Sequence, residues 1–191
     1  MKEIEFLNMD LDLFYSVNGY PVHVASAGGY ISLYYQNMEY DEYNLPKLVR
    51  EIKPKYTFDQ IIINPALRKI INFDDRIEEV TMIIEAVFSR NGIYDHNVVP
   101  FLGNRDRLYD FYIKKIYGTS FINMAKRGFL SFDRTDITKH NSDLFHWIAM
   151  PYDYFNNPHS PIDAIPSCEI KDFSNYINNN IPFQLIKLID S

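Results

Sequence analysis

The sequence predicts an α+β fold, in which an N-terminal antiparallel β-meander of three to five strands packs against several helices within a single globular domain, residues 1–191. Two observations predict this fold. Alternating apolar and polar residues, separated by glycine turns, fill the start of the chain, and apolar residues at helical spacing follow later. Strands that come mostly before helices, rather than alternating with them, are typical of α+β proteins.

The predicted meander begins with a strand near residues 7–13. Its polar face carries Asp10 and Asp12, and its apolar face carries Leu11 and Leu13, which is the alternation of a half-buried strand. Asn18-Gly19 predicts a two-residue hairpin, because a type I′ turn needs a positive φ at both central positions. A second strand is predicted over residues 22–27, and a third over 30–35 after a second glycine turn.

Helices are predicted where apolar residues recur every three or four positions. The clearest one is capped by Asp74 or Asp75 and ends at Asn91-Gly92. Further helices are predicted near residues 44–53, 67–71, 105–117, 121–126 and 169–178, with a strand over 58–63 and a strand or helix over 144–150. The apolar tail, residues 181–191, is expected to dock on the rest of the chain.

Composition and charge narrow the class of function. The formal net charge is −6 with a pI near 5.3, so the basic surface expected of a nucleic-acid binder is missing and we predict no nucleic-acid partner. Cys168 is the one cysteine, which favours a reducing compartment, and the acidic start of the chain is unlike a secretory signal. No apolar run approaches the roughly 18–20 residues of a membrane span. We therefore predict a cytoplasmic protein with no membrane partner.

Four carboxylates form the candidate metal and catalytic residues. Asp10 and Asp12 point to the same side of a strand and are able to share a divalent cation, with Asp74 or Asp75 supplying a third carboxylate. This arrangement resembles phosphotransferases of the haloacid-dehalogenase type, which implies metal-dependent phosphoryl transfer or nucleotide processing. The resemblance covers few positions, so no residue role is carried over. The preferred interpretation is that these groups are solvated carboxylates on the open face of a sheet, with Asp74 or Asp75 capping a helix.

Three other polar residues are candidates for a site. His23 faces away from its valine neighbours, so Asp10 or Asp12 on the adjacent strand is able to pair with it, either structurally or as a catalytic dyad. Arg127 and Arg134 flank residues 128–133, which we expect to be exposed, and they are candidates for binding an anion or a partner carboxylate.

A short motif gives one further resemblance. Residues 117–120, Tyr-Gly-Thr-Ser, resemble the opening of ADP-ribosyltransferase folds, which implies NAD binding. Helix caps at the glycine and the hydroxyl residues are the preferred interpretation of this motif.

The predicted function is that of a non-enzymatic interaction protein without a cofactor. An acidic surface rich in tyrosine suits a basic protein partner, because complementary charge speeds association and tyrosine supplies rigid contact area. An immunity or inhibitor protein that neutralises a basic toxin or nuclease is a concrete form of this hypothesis. The alternative is the metal-dependent enzyme that uses the four carboxylates above.

Overall fold

The computed structural model describes residues 12–26, 44–90, 103–135, 143–156 and 165–191. These residues contain a mixed six-stranded sheet together with helices, which confirms the α+β class. The chain divides into two compact units, a sheet unit (residues 1–64 and 121–191) and a helical unit (residues 65–120). The single domain over 1–191 stays a prediction.

The described elements are as follows. The strands are β1 (Asp12–Val17), β2 (Tyr20–Ala25), β3 (Ile61–Ile63), β4 (Leu130–Arg134), β5 (Phe145–Pro151) and β6 (Ser167–Cys168). The α-helices are α1 (Asn44–Glu51), α2 (Leu67–Ile70), α3 (Ile77–Arg90), α4 (Arg105–Phe111), α5 (Thr119–Ala125), α6 (Phe173–Asn178) and α7 (Leu185–Ile189). Short 3₁₀ helices cover Phe58–Gln60 and Tyr154–Asn156, and a π-helix, Tyr112–Tyr117, continues α4. None of the helices in these ranges has both the length and the hydropathy to cross a membrane.

The strand order in the sheet is β3-β5-β4-β2-β1-β6. The predicted hairpin is confirmed: β1 and β2 pair antiparallel through Asn18 and Gly19, whose φ angles are 52° and 81°. The predicted antiparallel meander is wrong, however, because β4 pairs with β2 and β6 pairs with β1, both in parallel. The predicted third strand, residues 30–35, lies outside the described residues, as does the first part of the predicted first strand.

Strand β4 corrects a second expectation. Residues 128–133 were expected to be exposed, but every residue of β4 is buried, and the strand lies between β2 and β5. The strand alternates apolar and polar residues, Leu-Ser-Phe-Asp-Arg, but both sets are buried because both faces of the sheet are covered. The side chain of Arg134 is only 2 % exposed, so the expected exposure of this residue is wrong, and its role in binding stays a prediction. Arg127 instead donates to the carbonyl oxygen of Asn123 at the end of α5.

One face of the sheet carries the main apolar core. On this face α6 and α7 cover the strands, and Trp147 and Ile177 are both almost fully buried. The predicted docking of the tail is confirmed by Leu185 and Ile186, which have no exposed surface. The other buried members of this core are Leu13, Tyr15, Val17, Val22, Val24, Leu130, Phe132, Phe145, Tyr154, Ile170, Phe173 and Phe183.

The opposite face of the sheet is also covered. Phe14 on β1 packs with Phe129 and with Val49 of α1, and all three are fully buried. On the same face, the ring of Phe121 from α5 lies 5.9 Å from the ring of His23. The expectation of an open, solvated sheet face is therefore wrong in the described region.

The helical unit is built around Phe73. Its ring meets Tyr109 edge-on at 5.1 Å, and the Arg68 guanidinium lies 5.4 Å from its centroid. The predicted helix near residues 105–117 is present, but its second half is a π-helix in which Tyr112 and Tyr117 stack at 5.8 Å. A π-helix places residues five apart above one another, which explains this pairing.

Gly118 permits the π-helix to end where it does. A Cβ at this position would lie 2.4 Å from the Ile113 carbonyl oxygen, which accepts the Gly118 N–H at 2.9 Å. We expect Gly118→Ala to destabilise the chain by about 1–3 kcal/mol, because the main chain must shift to admit a methyl group. The measurement is urea unfolding followed by circular dichroism.

Gly128→Ala gives the contrasting control. Nothing lies within 4 Å of a Cβ at Gly128, but its φ of +105° is strained for alanine, so this cost comes from the backbone alone. A Gly118→Ala protein as stable as the wild type would contradict the proposed contact with Ile113.

Candidate functional site

Three polar side chains form a hydrogen-bonded line across the second sheet face. Asp12 on β1, His23 on β2 and Ser131 on β4 are brought together by strand register, because His23 lies opposite Ser131. His23 Nε2 lies 3.0 Å from Asp12 Oδ1, and His23 Nδ1 lies 3.3 Å from Ser131 Oγ. The predicted pairing of His23 with an acid on the adjacent strand is therefore present, and Asp12 is the partner.

The hydrogen bonds define how protons are distributed along this line. A carboxylate only accepts, so His23 Nε2 carries a proton and donates it to Asp12. Ser131 Oγ also lies 3.2 Å from the Phe121 carbonyl oxygen, to which its hydroxyl donates. The Ser131 hydroxyl has a single proton, so while it donates to this carbonyl oxygen the contact with His23 is a hydrogen bond only when Nδ1 carries a proton.

Burial limits the chemistry of this line. His23 is 1 % exposed and Ser131 is fully buried, whereas the Asp12 side chain is 39 % exposed. The hydrogen bond from His23 lowers the pKa of Asp12; burial opposes this effect, and Arg50 adds to it. A nucleophile must reach its substrate, so the fully buried Ser131 does not have the geometry of the nucleophile of a serine hydrolase. The accessible group of the line is an ionised carboxylate at the rim of the sheet.

A second polar group lies beside the first on the same face. Asp133 on β4 pairs in register with His146 on β5, and Thr135 Oγ1 lies 3.0 Å from His146 Nδ1. Both Asp133 and His146 are buried. This group was not predicted from the sequence, because residues 128–133 were expected to be exposed. The position of Asp133 two residues after Ser131 was the available signal, since such residues share one face of a strand.

Burial lowers the pKa of His146 to about 4, from an ordinary value of 6.5. The unfolded chain therefore binds a proton at this side chain more readily than the folded chain does. As a result, the free energy of unfolding decreases as the pH falls from 6.5 towards 4. We expect a loss of up to about 3 kcal/mol from this group between pH 7 and pH 4. Urea unfolding at a series of pH values measures it.

The His146→Gln variant separates this effect from other titrations. It should be less stable at pH 7, because the ring and its contact with Thr135 are lost, yet its stability should fall less steeply below pH 6.5. Parallel curves for the two proteins would contradict the assignment to His146.

The candidate metal carboxylates have other partners or lie elsewhere. Asp12 binds His23, and Asp74 accepts two hydrogen bonds from Arg68 at 2.9 and 2.7 Å, which lower the pKa of Asp74. Asp75 is exposed, and Asp10 lies outside the described residues. Among the residues that the structure describes, no three His, Cys, Asp or Glu side chains gather in a metal-binding group.

The two edges of the sheet differ in character. At the β6 edge, Glu169 and Asp172 are exposed, and Asp190 lies close enough to Cys168 to help burial raise the pKa of that thiol to about 11. At the β3 edge, Phe58 and Tyr152 are among the most exposed large apolar side chains of the described residues. Neither edge was identified from the sequence, because strand order decides which residues lie there.

The chain was compared with protein-family models, with curated proteins and with solved structures, and nothing matched in any of the three comparisons. A function must therefore be argued from the geometry and charge of this chain alone.

Proposed function

We propose that this protein is a non-enzymatic interaction protein that binds a basic protein partner, in the manner of an immunity or inhibitor protein. The supporting observation is the net charge of −6, which comes from 25 acidic residues against 19 lysines and arginines. The helical unit holds 8 acidic residues and 8 lysines and arginines and is neutral. A negative net charge steers a cationic partner towards the chain.

The β6 edge is where we expect this partner to make contact. Glu169, Asp172 and Asp190 outnumber Lys171 there, and Asn18 fixes the segment by exchanging two side-chain hydrogen bonds with the Ile170 main chain at 2.8 and 2.9 Å. A segment held in this way loses little conformational freedom when a partner binds.

The burial of His23 and Ser131 in the Asp12–His23–Ser131 line also favours a binding protein over an enzyme that uses these residues. His23 Nδ1 contacts Ser131 Oγ, and the Ser131 hydroxyl donates to the Phe121 carbonyl oxygen, all under a covered sheet face. Both side chains are buried there, so neither faces a substrate from solvent.

The experiment uses the full chain, immobilised and exposed to a lysate of the cells it comes from. We expect one basic protein to be retained at low salt and released by about 0.5 M NaCl, because exposed ion pairs are screened within a few ångströms at that ionic strength. The retained protein is then purified, and its affinity for the chain is measured by calorimetry. If it is a toxin or nuclease, an equimolar amount of the chain should inhibit it.

A triple variant, Glu169→Gln with Asp172→Asn and Asp190→Asn, removes the β6-edge charges. Asp172 has a φ of 57°, a conformation that asparagine also tolerates, so this change preserves the backbone. Its matched control, Asp75→Asn with Glu78→Gln and Glu85→Gln, removes the same charge from the neutral helical unit. The proposal predicts weakening by about tenfold or more in the first variant only. Equal binding by both variants, or retention of an acidic protein, would contradict it.

A further inference from the structure

Strand β3 ends the sheet with main-chain groups that face outwards. Tyr152 N–H donates to the Gln60 carbonyl oxygen and Asn64 N–H donates to that of Ile148, both at 2.9 Å. Bonding residues alternate along an antiparallel strand, so Ile61 and Ile63 direct their main-chain groups away from β5. Ile61 N–H donates to the Phe58 carbonyl oxygen. Within the described residues, the carbonyl oxygen of Ile61 and the N–H and carbonyl oxygen of Ile63 face away from the sheet. No other strand of the described residues lies beyond β3.

Apolar side chains surround this edge. Phe58 is 39 %, Ile62 38 % and Tyr152 59 % exposed, and the ring of Tyr56 meets that of Tyr152 edge-on at 6.4 Å. Proteins usually protect an edge strand with charges or proline rather than expose apolar groups beside it. This β3-edge surface (Tyr56, Phe58, Ile62 and Tyr152) therefore has the composition of a contact surface.

The charge beside the β3-edge surface is positive. The N–H groups of Lys55 and Tyr56 both donate to the Lys126 carbonyl oxygen, at 2.7 and 3.1 Å, which joins the two loops. Lys126 Nζ lies 5.9 Å from the Phe58 ring centroid, and Lys53 and Lys55 are exposed.

The nearby acids are already engaged. Asp59 accepts a hydrogen bond from the Thr57 hydroxyl at 2.6 Å, and burial, together with a hydrogen bond to Asp153, raises the pKa of Tyr56. Both donors are neutral hydroxyl groups, so the two carboxylates keep their charge, but Lys53, Lys55 and Lys126 outnumber them three to two.

We propose that the β3 edge binds an extended acidic segment of a protein partner, which pairs with Ile61 and Ile63 as an additional strand. Main-chain hydrogen bonds supply affinity in this mode of recognition, and side-chain contacts supply specificity. Lys55 and Lys126 are the residues that select carboxylates, and the exposed aromatic rings contact the apolar side chains that alternate with them. This surface is separate from the acidic edge used in the proposed function, and the two are tested independently.

The probe is a labelled seven-residue peptide that alternates glutamate with valine or tyrosine, titrated into the full chain and followed by fluorescence anisotropy. We expect saturable binding that weakens at 0.5 M NaCl. Three comparison ligands test its basis: the same peptide with lysine for glutamate, the acidic peptide with alternate amide nitrogens methylated, and single-stranded DNA. Each should bind at least about tenfold more weakly.

Variants locate the binding on the chain. Lys55→Gln with Lys126→Gln should weaken the acidic peptide by about tenfold, whereas the control Lys69→Gln with Lys171→Gln removes the same charge elsewhere and should leave binding unchanged. Tyr152→Ser should weaken it by about fivefold or more, against a control of Met82→Ser, whose side chain is 62 % exposed. The proposal is overturned if a control variant loses as much affinity for the acidic peptide as its paired variant does. It is also overturned if the lysine peptide or DNA binds more tightly than the acidic peptide, or if the acidic peptide does not bind at millimolar concentration.

Discussion

Replacement of Trp147 by alanine should destabilise the protein by about 3–5 kcal/mol, the cost of removing a large aromatic side chain from a packed core. Trp147 lies on β5, is 2 % exposed, and donates its indole N–H to the Ile177 carbonyl oxygen at 3.1 Å. It therefore joins the sheet to α6 by packing and by a hydrogen bond. Guanidinium unfolding followed by circular dichroism measures the change, since the variant has no tryptophan left to report by fluorescence.

Trp147→Phe separates the two contributions. Phenylalanine keeps most of the apolar contact, and the Ile177 carbonyl oxygen still accepts the Asn180 N–H at 3.1 Å. We expect a cost of about 1–2 kcal/mol, the value of one hydrogen bond together with a small loss of volume. If phenylalanine proves as damaging as alanine, the hydrogen bond rather than packing dominates this contact, and our account of the core is wrong.

His23→Ala is expected to cost about 3 kcal/mol. Its ring is buried between two aromatic rings, with centroids 5.3 Å from Phe14 and 5.9 Å from Phe121, so truncation leaves a cavity. His23→Phe should recover at least half of this loss, because it refills the space between the rings. Both polar neighbours keep other partners: Asp12 reaches water, and Ser131 still donates to the Phe121 carbonyl oxygen.

Thermal and chemical unfolding of the two His23 variants check this ordering. Asp12→Asn is the matched control. We expect it to destabilise the protein by about 1 kcal/mol or less, since the asparagine oxygen still accepts the His23 Nε2–H. A His23→Phe protein no more stable than His23→Ala would mean that the polar line itself holds the sheet together, which would contradict the packing argument.

The sequence predicted those parts of the fold that depend on local chemistry. The hairpin at Asn18-Gly19 requires positive φ angles that these two residues adopt readily, and the long helix α3 repeats its apolar residues at helical spacing. The tail was recognised as apolar, and Leu185 and Ile186 are indeed in the core.

Strand partners and strand order could not be predicted in this way. The parallel pairing of β2 with β4 is fixed by contacts between distant segments, so the alternation of apolar and polar residues along β4 does not reveal its partner. The same limit applied to the candidate site. The sequence suggested an acid opposite His23, but Ser131 became visible only once β4 was placed beside β2.

The pairing of β2 with β4 also bears on how the chain reaches its native state. His23 and Ser131 are 108 residues apart, and the whole helical unit lies between them in the sequence. Closing a loop of that length costs about 4 kcal/mol in chain entropy before any contact in the centre of the sheet forms. We therefore expect the helical unit to acquire its structure first and the sheet to be completed late, as a slow step that a mixing experiment would resolve.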